Sequence, residues 1–330
     1  MAEWLYESGI GENRAALIED GSIAEAIVEL PGELRAGTIA AGRLTTILIP
    51  GRRAIVTLFR GGEALLEPVT AKFTEGATLH VEIVREGFAE QGRAKLPKAR
   101  ATDSPERDGP SLRERLAASG REMTMVPTVG ADPLEDAGWS ELIEEAIGGE
   151  IAFPGGGLRM SLTPAMTLFD VDGALDVVAL AVAGAEAAGR AVRRFGIGGS
   201  IGIDLPTLAA KEDRQKAAAA LDAVLPQPFE RTAVNGFGFL QVVRKRERAS
   251  LPELLQADRV GAAARALLRR AERSGGPGGR LLHAAPPVIA RIDANPEWLH
   301  TLSARVGGTV ALRAEPGLAI SAGHVHASQI

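Results

Sequence analysis

Two aspartates, each closing an apolar run, constrain this chain more than any other feature. Asp170 ends Met166-Thr167-Leu168-Phe169-Asp170 and Asp204 ends Ser200-Ile201-Gly202-Ile203-Asp204, with an alanine-rich stretch from Ala174 to Phe195 between them. Apolar runs on either side of a helix-length segment predict a strand, a crossover helix and a second strand. Such a unit is right-handed and its neighbouring strands are parallel. Both carboxylates are then expected at the same sheet edge, where ligands of open α/β sheets usually bind. Two carboxylates so placed can hold a hard divalent cation, most naturally Mg²⁺. The competing reading is that the two acids simply cap strand ends.

The rest of the composition narrows the field. At 330 residues the chain has room for two or three domains with cores of their own. A net charge of −5 offers no global attraction to nucleic acid, so RNA or DNA contacts must use local basic patches. The absence of cysteine excludes disulfides, thiolate zinc sites and cysteine nucleophiles. No apolar run approaches the roughly 18 residues that span a bilayer. Met1-Ala2-Glu3-Trp4-Leu5 lacks the basic flank and apolar core of a signal peptide, so a soluble, cytoplasmic protein without membrane contact is expected.

Along the chain, alternation around Asn13 to Gly21 predicts strands joined by an Asp20-Gly21 hairpin turn. From Gly37 to about Lys98 short strands (Leu44 to Ile49, Ala54 to Phe59, Leu79 to Val84) alternate with glycine turns, the pattern of a small barrel of the OB type. Its aromatics Phe59, Phe73 and Phe88 could stack nucleic-acid bases or fill the barrel core. A polar, proline-bearing linker covers 101–110, followed by a helix near Ser111 to Ser119, a strand at Met123 to Val126 and a helix from Trp139 to Ile147. Thr207 is expected to cap a helix running to Ala223, and Gly236 to Val243 reads as a strand ending in Arg244-Lys245-Arg246. A basic helix from Val260 to Arg273 and a small strand-helix-strand pattern complete the chain.

Taken in order, three motifs resemble the ribonuclease E/G endoribonucleases, close to the shorter ribonuclease G branch. They are Gly155-Gly156-Gly157-Leu158 through Asp170-Val171-Asp172, then Gly198-Gly199-Ser200-Ile201-Gly202-Ile203-Asp204, then Phe237-Gly238-Phe239-Leu240-Gln241 through Arg244-Lys245-Arg246. The opening Asn13 to Gly21 and the region from Leu281 onward also fit.

The resemblance implies an RNase H-like piece at 1–34 and 99–149 that includes the linker. Into it is inserted an OB-fold RNA-binding domain at 35–98, and after it come a DNase I-like catalytic subdomain at 150–250 and a small C-terminal α/β domain at 251–330. It also implies Mg²⁺-dependent cleavage of single-stranded RNA by a metal-activated water, leaving 5′-phosphate and 3′-hydroxyl ends. By motif, Asp170 and Asp204 match the metal ligands, and Asp172 matches an asparagine that orients the site.

From the residues themselves, Asp170 and Asp172 share a strand face, so with Asp204 a three-carboxylate cluster is expected. A cation there lowers the pKa of bound water and stabilises charge on phosphate oxygens. Arg231, Arg244, Lys245 and Arg246 could neutralise the RNA backbone.

The chain also departs from the family. The zinc-linking Cys-Pro-x-Cys has no counterpart, so any homo-oligomer forms without a zinc link. A 5′-end sensor has no place after Lys95-Leu96-Pro97-Lys98. The loop after Asp172 is short, Ala183-Gly184-Ala185-Glu186 replaces a polar helix segment, and Gly236 stands where an arginine is expected. These differences make a catalytically impaired RNA-binding protein of the same fold the alternative reading.

Smaller signals carry less. Gly196-Ile197-Gly198-Gly199 precedes a strand and is no dinucleotide fingerprint, and Phe153 to Gly157 reads as a hairpin turn. His324 and His326 could chelate a metal weakly, but a solvated tail is expected, because two ligands without a structured shell make a poor site. Arg265, Arg269 and Arg273 recur at helical spacing and read as a solvated face.

Overall fold

The computed structural model describes residues 2–70, 72–90, 93–276 and 278–328. It is a mixed α/β, multi-domain fold containing a closed five-stranded β-barrel. The chain divides into two compact units, one formed by Met1–Pro31, Gly120–Ile147 and Leu255–Ile330, the other by Gly32–Ser119 and Gly148–Leu254. Among the described residues no helix is long and apolar enough to cross a membrane.

In the second unit the barrel closes in the order Lys98–Thr102, Glu63–Leu66, Arg53–Leu58, Ile39–Ile49, Thr78–Arg85. Period-two burial is the reason it closes. In Arg53–Leu58, Ala54, Val56 and Leu58 turn inward to meet Leu44, Leu66, Val81 and Ile83, while the intervening residues face outward. The fifth strand begins at Lys98, so the barrel runs past the boundary read from the sequence. Residues assigned there to the linker complete it, and Arg107 bridges back to Ile39. Lys98-Ala99-Arg100-Ala101-Thr102 does alternate, but its apolar positions are alanines, which favour strands only weakly.

The same unit holds a six-stranded sheet, ordered Glu150–Phe153, Gly156–Leu162, Thr167–Gly173, Gly199–Asp204, Phe239–Arg244, Glu230–Arg231. Thr167–Gly173 and Gly199–Asp204 are parallel and joined by the helix Val177–Arg194, N-capped by Asp176. That helix lies on the face that carries Phe169 and Val171. A Cβ on Gly184 would come within 2.4 Å of Val171 Cγ1, so only glycine permits this approach. The Ala183-Gly184-Ala185 segment therefore serves close helix-strand packing. The following helix starts later than expected. It spans Lys211–Val224 with Ala210 at its N-cap, and Thr207 instead donates to the Phe237 carbonyl at 3.3 Å.

The first unit combines the strands Met123–Met125, Glu3–Ser8, Asn13–Glu19 and Ser22–Glu29, in that order, with the helices Trp139–Gly148 and Arg259–Arg273. A three-stranded sheet, Val310–Ala314, Gly279–Ala284 and His324–Ser328, joins them, with two helices, Pro286–Asp293 and Pro296–Val306, between its first two strands in the chain. The segment from Leu255 thus shares a core with the N-terminal strands: Ile10 packs with Leu267, Leu282 and Leu302.

The arginine stripe is not a solvated face. Arg265 reaches Glu12 at 2.9 Å and Arg269 reaches it at 2.6 Å, while Arg273 lies 3.0 Å from Glu7 and 3.1 Å from Asp132. Its counter-charges come from elsewhere in the chain, Glu12 lying 253 and 257 residues before Arg265 and Arg269, a separation invisible to helical spacing.

Arg14 completes this ionic core, 2.5 Å from both Glu7 and Asp132. Burial pushes the Asp132 carboxyl up, but the charges and hydrogen bonds of Arg14, with Arg273 and the Glu135 amide, outweigh it and hold the group below its ordinary value. The unfolded Asp132 titrates near ~3.9, so this contribution to stability is full above that pH and disappears as the pH falls through the lower folded value. Urea unfolding between about pH 3 and pH 6 should show stability dropping below about pH 4. Asp132→Asn, which keeps the oxygen that caps the helix Pro133–Asp136, should flatten that drop.

Candidate functional site

The strand register sets the geometry of the aspartates. Arg159 pairs with Asp170, Asp170 with Asp204 and Asp204 with Phe239, so these four residues form one row across four adjacent strands. Residues directly opposite on neighbouring strands share a face at a strand spacing of about 4.8 Å. Phe169, Val171, Ile201 and Ile203 are buried and point the other way, leaving the row on the face not covered by the helix Val177–Arg194. Both acids lie on an open sheet face: Asp170 sits three residues before its strand ends at Gly173, whereas Asp204 is the last residue of Gly199–Asp204.

Asp170, Asp172 and Asp204 are all exposed. Among the described residues neither Asp170 nor Asp204 makes a side-chain hydrogen bond or ion pair, so neither works as a cap in this structure. The expected three-carboxylate cluster does not assemble. Asp172 pairs with Gly157, beyond the last residue of the Asp170–Asp204 ladder, and the three acids are not gathered within ligand reach of one another.

Arg159 is the neighbour that reading by motif missed. Its guanidinium hydrogen-bonds Glu150 at 3.0 Å. That bond and the Glu150 charge raise its pKa first, with smaller contributions from the charges of Asp170 and Asp172. The signal was present as the alternation in Gly156–Leu162, which puts Arg159 outward between buried Leu158 and Met160.

The candidate RNA contacts separate into exposed and structural groups. Phe59 is 61% exposed on the barrel, whereas Phe73 packs partly buried against the barrel core under Lys72. Phe88 is buried beneath Arg246, whose guanidinium sits 3.7 Å from the ring centroid. Arg231 is held by Asp222 through two hydrogen bonds of 2.6 and 2.5 Å, and that bond raises its pKa against the opposing effect of burial. Arg244 donates to the Ile197 carbonyl at 3.1 Å, and Arg246 pairs with Glu253. Lys245 is exposed beside Glu247.

One aromatic without a role in the sequence reading stands out by exposure. Phe237 is 83% exposed at the tip of a turn whose Asn235 side chain accepts from the Phe237 and Phe239 amides at 2.9 and 3.0 Å. Gly238 holds the turn with φ of +92°, and a Cβ there would fall 2.1 Å from the Leu205 carbonyl oxygen. Phe237 is thereby fixed two residues from the row that contains Asp204. The flanking glycines were the sequence signal for this display.

Two further features lie in the first unit. A cavity of about 220 Å³ is lined by Trp139, Ile143, Ile147, Leu255 and Arg269 and includes none of the aspartates. His324 and His326 do not form a solvated tail. They lie on the strand His324–Ser328, paired with Gly279–Ala284, and meet His283. A scan of the sequence against protein-family models finds no match, and no curated protein matches the chain.

Proposed function

We propose that the protein is an Mg²⁺-dependent endoribonuclease of the ribonuclease E/G type that acts on single-stranded RNA. In this reading the six-stranded sheet is its DNase I-like catalytic part, the four-stranded sheet belongs to an RNase H-like piece, and the barrel is an OB-type RNA-binding insert. The observation that carries it is the register pairing of Asp170 with Asp204, two exposed carboxylates on one open face of a parallel strand pair, neither serving as a cap.

Carboxylate oxygens are the donor set that suits Mg²⁺, so Asp170 and Asp204 are the residues that would hold it. Bound there, the ion would supply Lewis-acid chemistry at a phosphodiester. The protein's own groups would position the strand: Arg159 sets a positive charge beside the carboxylates to meet phosphate, and Lys245 offers a second exposed cation. Phe237 and Phe59 present free ring faces on which bases can stack.

An RNA-binding protein that has lost cleavage is the second reading, favoured by one observation, the failure of Asp172 to join the other two carboxylates. Incubation of an end-labelled, A/U-rich single-stranded RNA with the protein and Mg²⁺ separates the two. Products with 5′-phosphate and 3′-hydroxyl ends, abolished by chelation, support the nuclease. Retained RNA binding without cleavage makes it a binding protein, and failure to bind RNA at low salt removes both.

Phe237→Ala is expected to weaken RNA binding by about 1–3 kcal/mol, measured by fluorescence anisotropy. Its unfolding midpoint should be unchanged, because the ring buries little surface in the fold. A variant that binds RNA as tightly as the parent would remove Phe237 from the interface.

A further inference from the structure

The three-stranded sheet brings His283 together with His324 and His326, which lie 41 and 43 positions further along the chain. His283 on Gly279–Ala284 is the register partner of His324, and His326 lies opposite Leu281. Alternation along the two strands therefore puts all three rings on one face. Leu282 and Val325 point the other way into the core with Leu267 and Ala271. Ring centroids are 4.7 Å apart for His283 and His324, 4.9 Å for His283 and His326, and 5.1 Å for His324 and His326. One nitrogen from each ring lies within 4.8 Å of the others.

The most buried of the three shows what the arrangement lacks. His283 is only 6% exposed, and its Nδ1 is taken by the Glu315 carboxylate at 2.5 Å. Its Nε2 is buried and has no hydrogen-bond partner among the described residues. A buried polar atom left unpaired is costly, and native structures seldom keep one without a reason. A carboxylate on the remote nitrogen of a histidine is the arrangement that fixes the tautomer and orientation of a metal-ligating imidazole.

We propose that His283, through Nε2, His324 and His326 form a binding site for a first-row transition-metal cation such as Zn²⁺, with Glu315 as the positioning residue for His283. Three neutral imidazoles are a borderline-soft donor set that suits Zn²⁺ and leaves Mg²⁺ poorly served. The site is distinct from the oxygen-donor aspartates and does not depend on the RNA reading. Arg313 is the register partner of His283 on Val310–Ala314, and Glu315, two residues further on, brings a negative charge to the imidazoles. His326 is exposed, which leaves a solvent-facing coordination position for water or a small anion. The cation would also fasten the last strand to the sheet, because two of its ligands belong to His324–Ser328.

The test is isothermal titration of the metal-free chain with ZnCl₂ in excess Mg²⁺, performed on the parent and on an Asp170→Asn, Asp204→Asn background. Stoichiometric binding, one ion per chain in both, is expected, together with a rise in melting temperature. Co²⁺ should give the visible d–d absorption of a nitrogen-ligated, low-coordinate site. Glu315→Gln should weaken binding by about 10–100-fold, and His324→Ala with His326→Ala, both outside the core, should abolish it. Substoichiometric binding by the parent, or equal affinity in the double histidine variant, would overturn the proposal. Binding that vanishes only in the aspartate background would assign the ion to Asp170 and Asp204 instead.

Discussion

For the proposed nuclease, Asp204→Asn is expected to leave folding and single-stranded RNA binding intact and to reduce cleavage by at least about 10²–10³-fold, the scale set by removing one preorganised electrostatic group from an active site. Asparagine preserves the shape and one oxygen but removes the charge that makes a carboxylate a ligand for a hard dication. Asp204 is exposed at the last position of its strand, so the change buries nothing and breaks no hydrogen bond. Asp170→Asn should behave alike, since the two residues are register partners. Asp172→Asn should cost less, because Asp172 lies beyond that pairing and stands apart from the other two. Single-turnover cleavage of a labelled RNA, with binding measured in parallel, reads all three. Equal turnover by Asp204→Asn and the parent would remove the aspartates from catalysis.

Arg14→Met should produce the largest loss of stability, about 3–5 kcal/mol, the cost of removing one partner from a buried ion pair. Arg14 is 1% exposed, contacts Glu7, which is fully buried, and Asp132, and its guanidinium lies 5.0 Å from the centroid of the Trp139 ring. Without it, Arg273 is the ion-pair partner left to Glu7 and Asp132 among the described residues, with Arg269 acting on them at longer range. The penalty arises from the stranded carboxylates and not from lost attraction, so Glu7→Gln added to Arg14→Met should recover part of it. The Asp132 carboxyl, freed from the cation that depresses it, should titrate higher, and the acid limb of the stability profile should move upward with it. Urea unfolding of the two variants and the parent decides both points. A loss below about 1 kcal/mol, the worth of an exposed pair, would show that the ionic core is dispensable.

What could be read from the sequence follows the range of the interaction that produces it. The strand pair carrying Asp170 and Asp204 was legible because its apolar runs and the alanine-rich crossover are local patterns with one right-handed closure. The hairpin at Asp20-Gly21 was legible for the same reason: both residues adopt positive φ, which that dipeptide tolerates. Features set by distant partners were not. Arg265 and Arg269 looked like a wetted stripe until Glu12 met them, and His324 and His326 looked like a tail until pairing with Gly279–Ala284 brought them to His283. Arg159 lay between these extremes, since its outward direction was written in the alternation while its place beside Asp170 required the register. Thr207 misled because a good capping residue was present where the chain, turned by Gly238 against Leu205, had not yet begun its helix.

The burial of Glu12 has a consequence for how the protein is made. Its counter-ions Arg265 and Arg269 are 253 and 257 residues further along the chain. At synthesis rates of about 5–20 residues per second, the carboxylate emerges from the ribosome on the order of ten seconds to a minute before either guanidinium exists. Throughout that interval the N-terminal strands cannot close over Glu12 without stranding a charge, so their final packing must wait for the helix Arg259–Arg273. A chain cut short before that helix would keep its first strands unsealed, and quality-control proteases would meet an open N-terminus on every incomplete product.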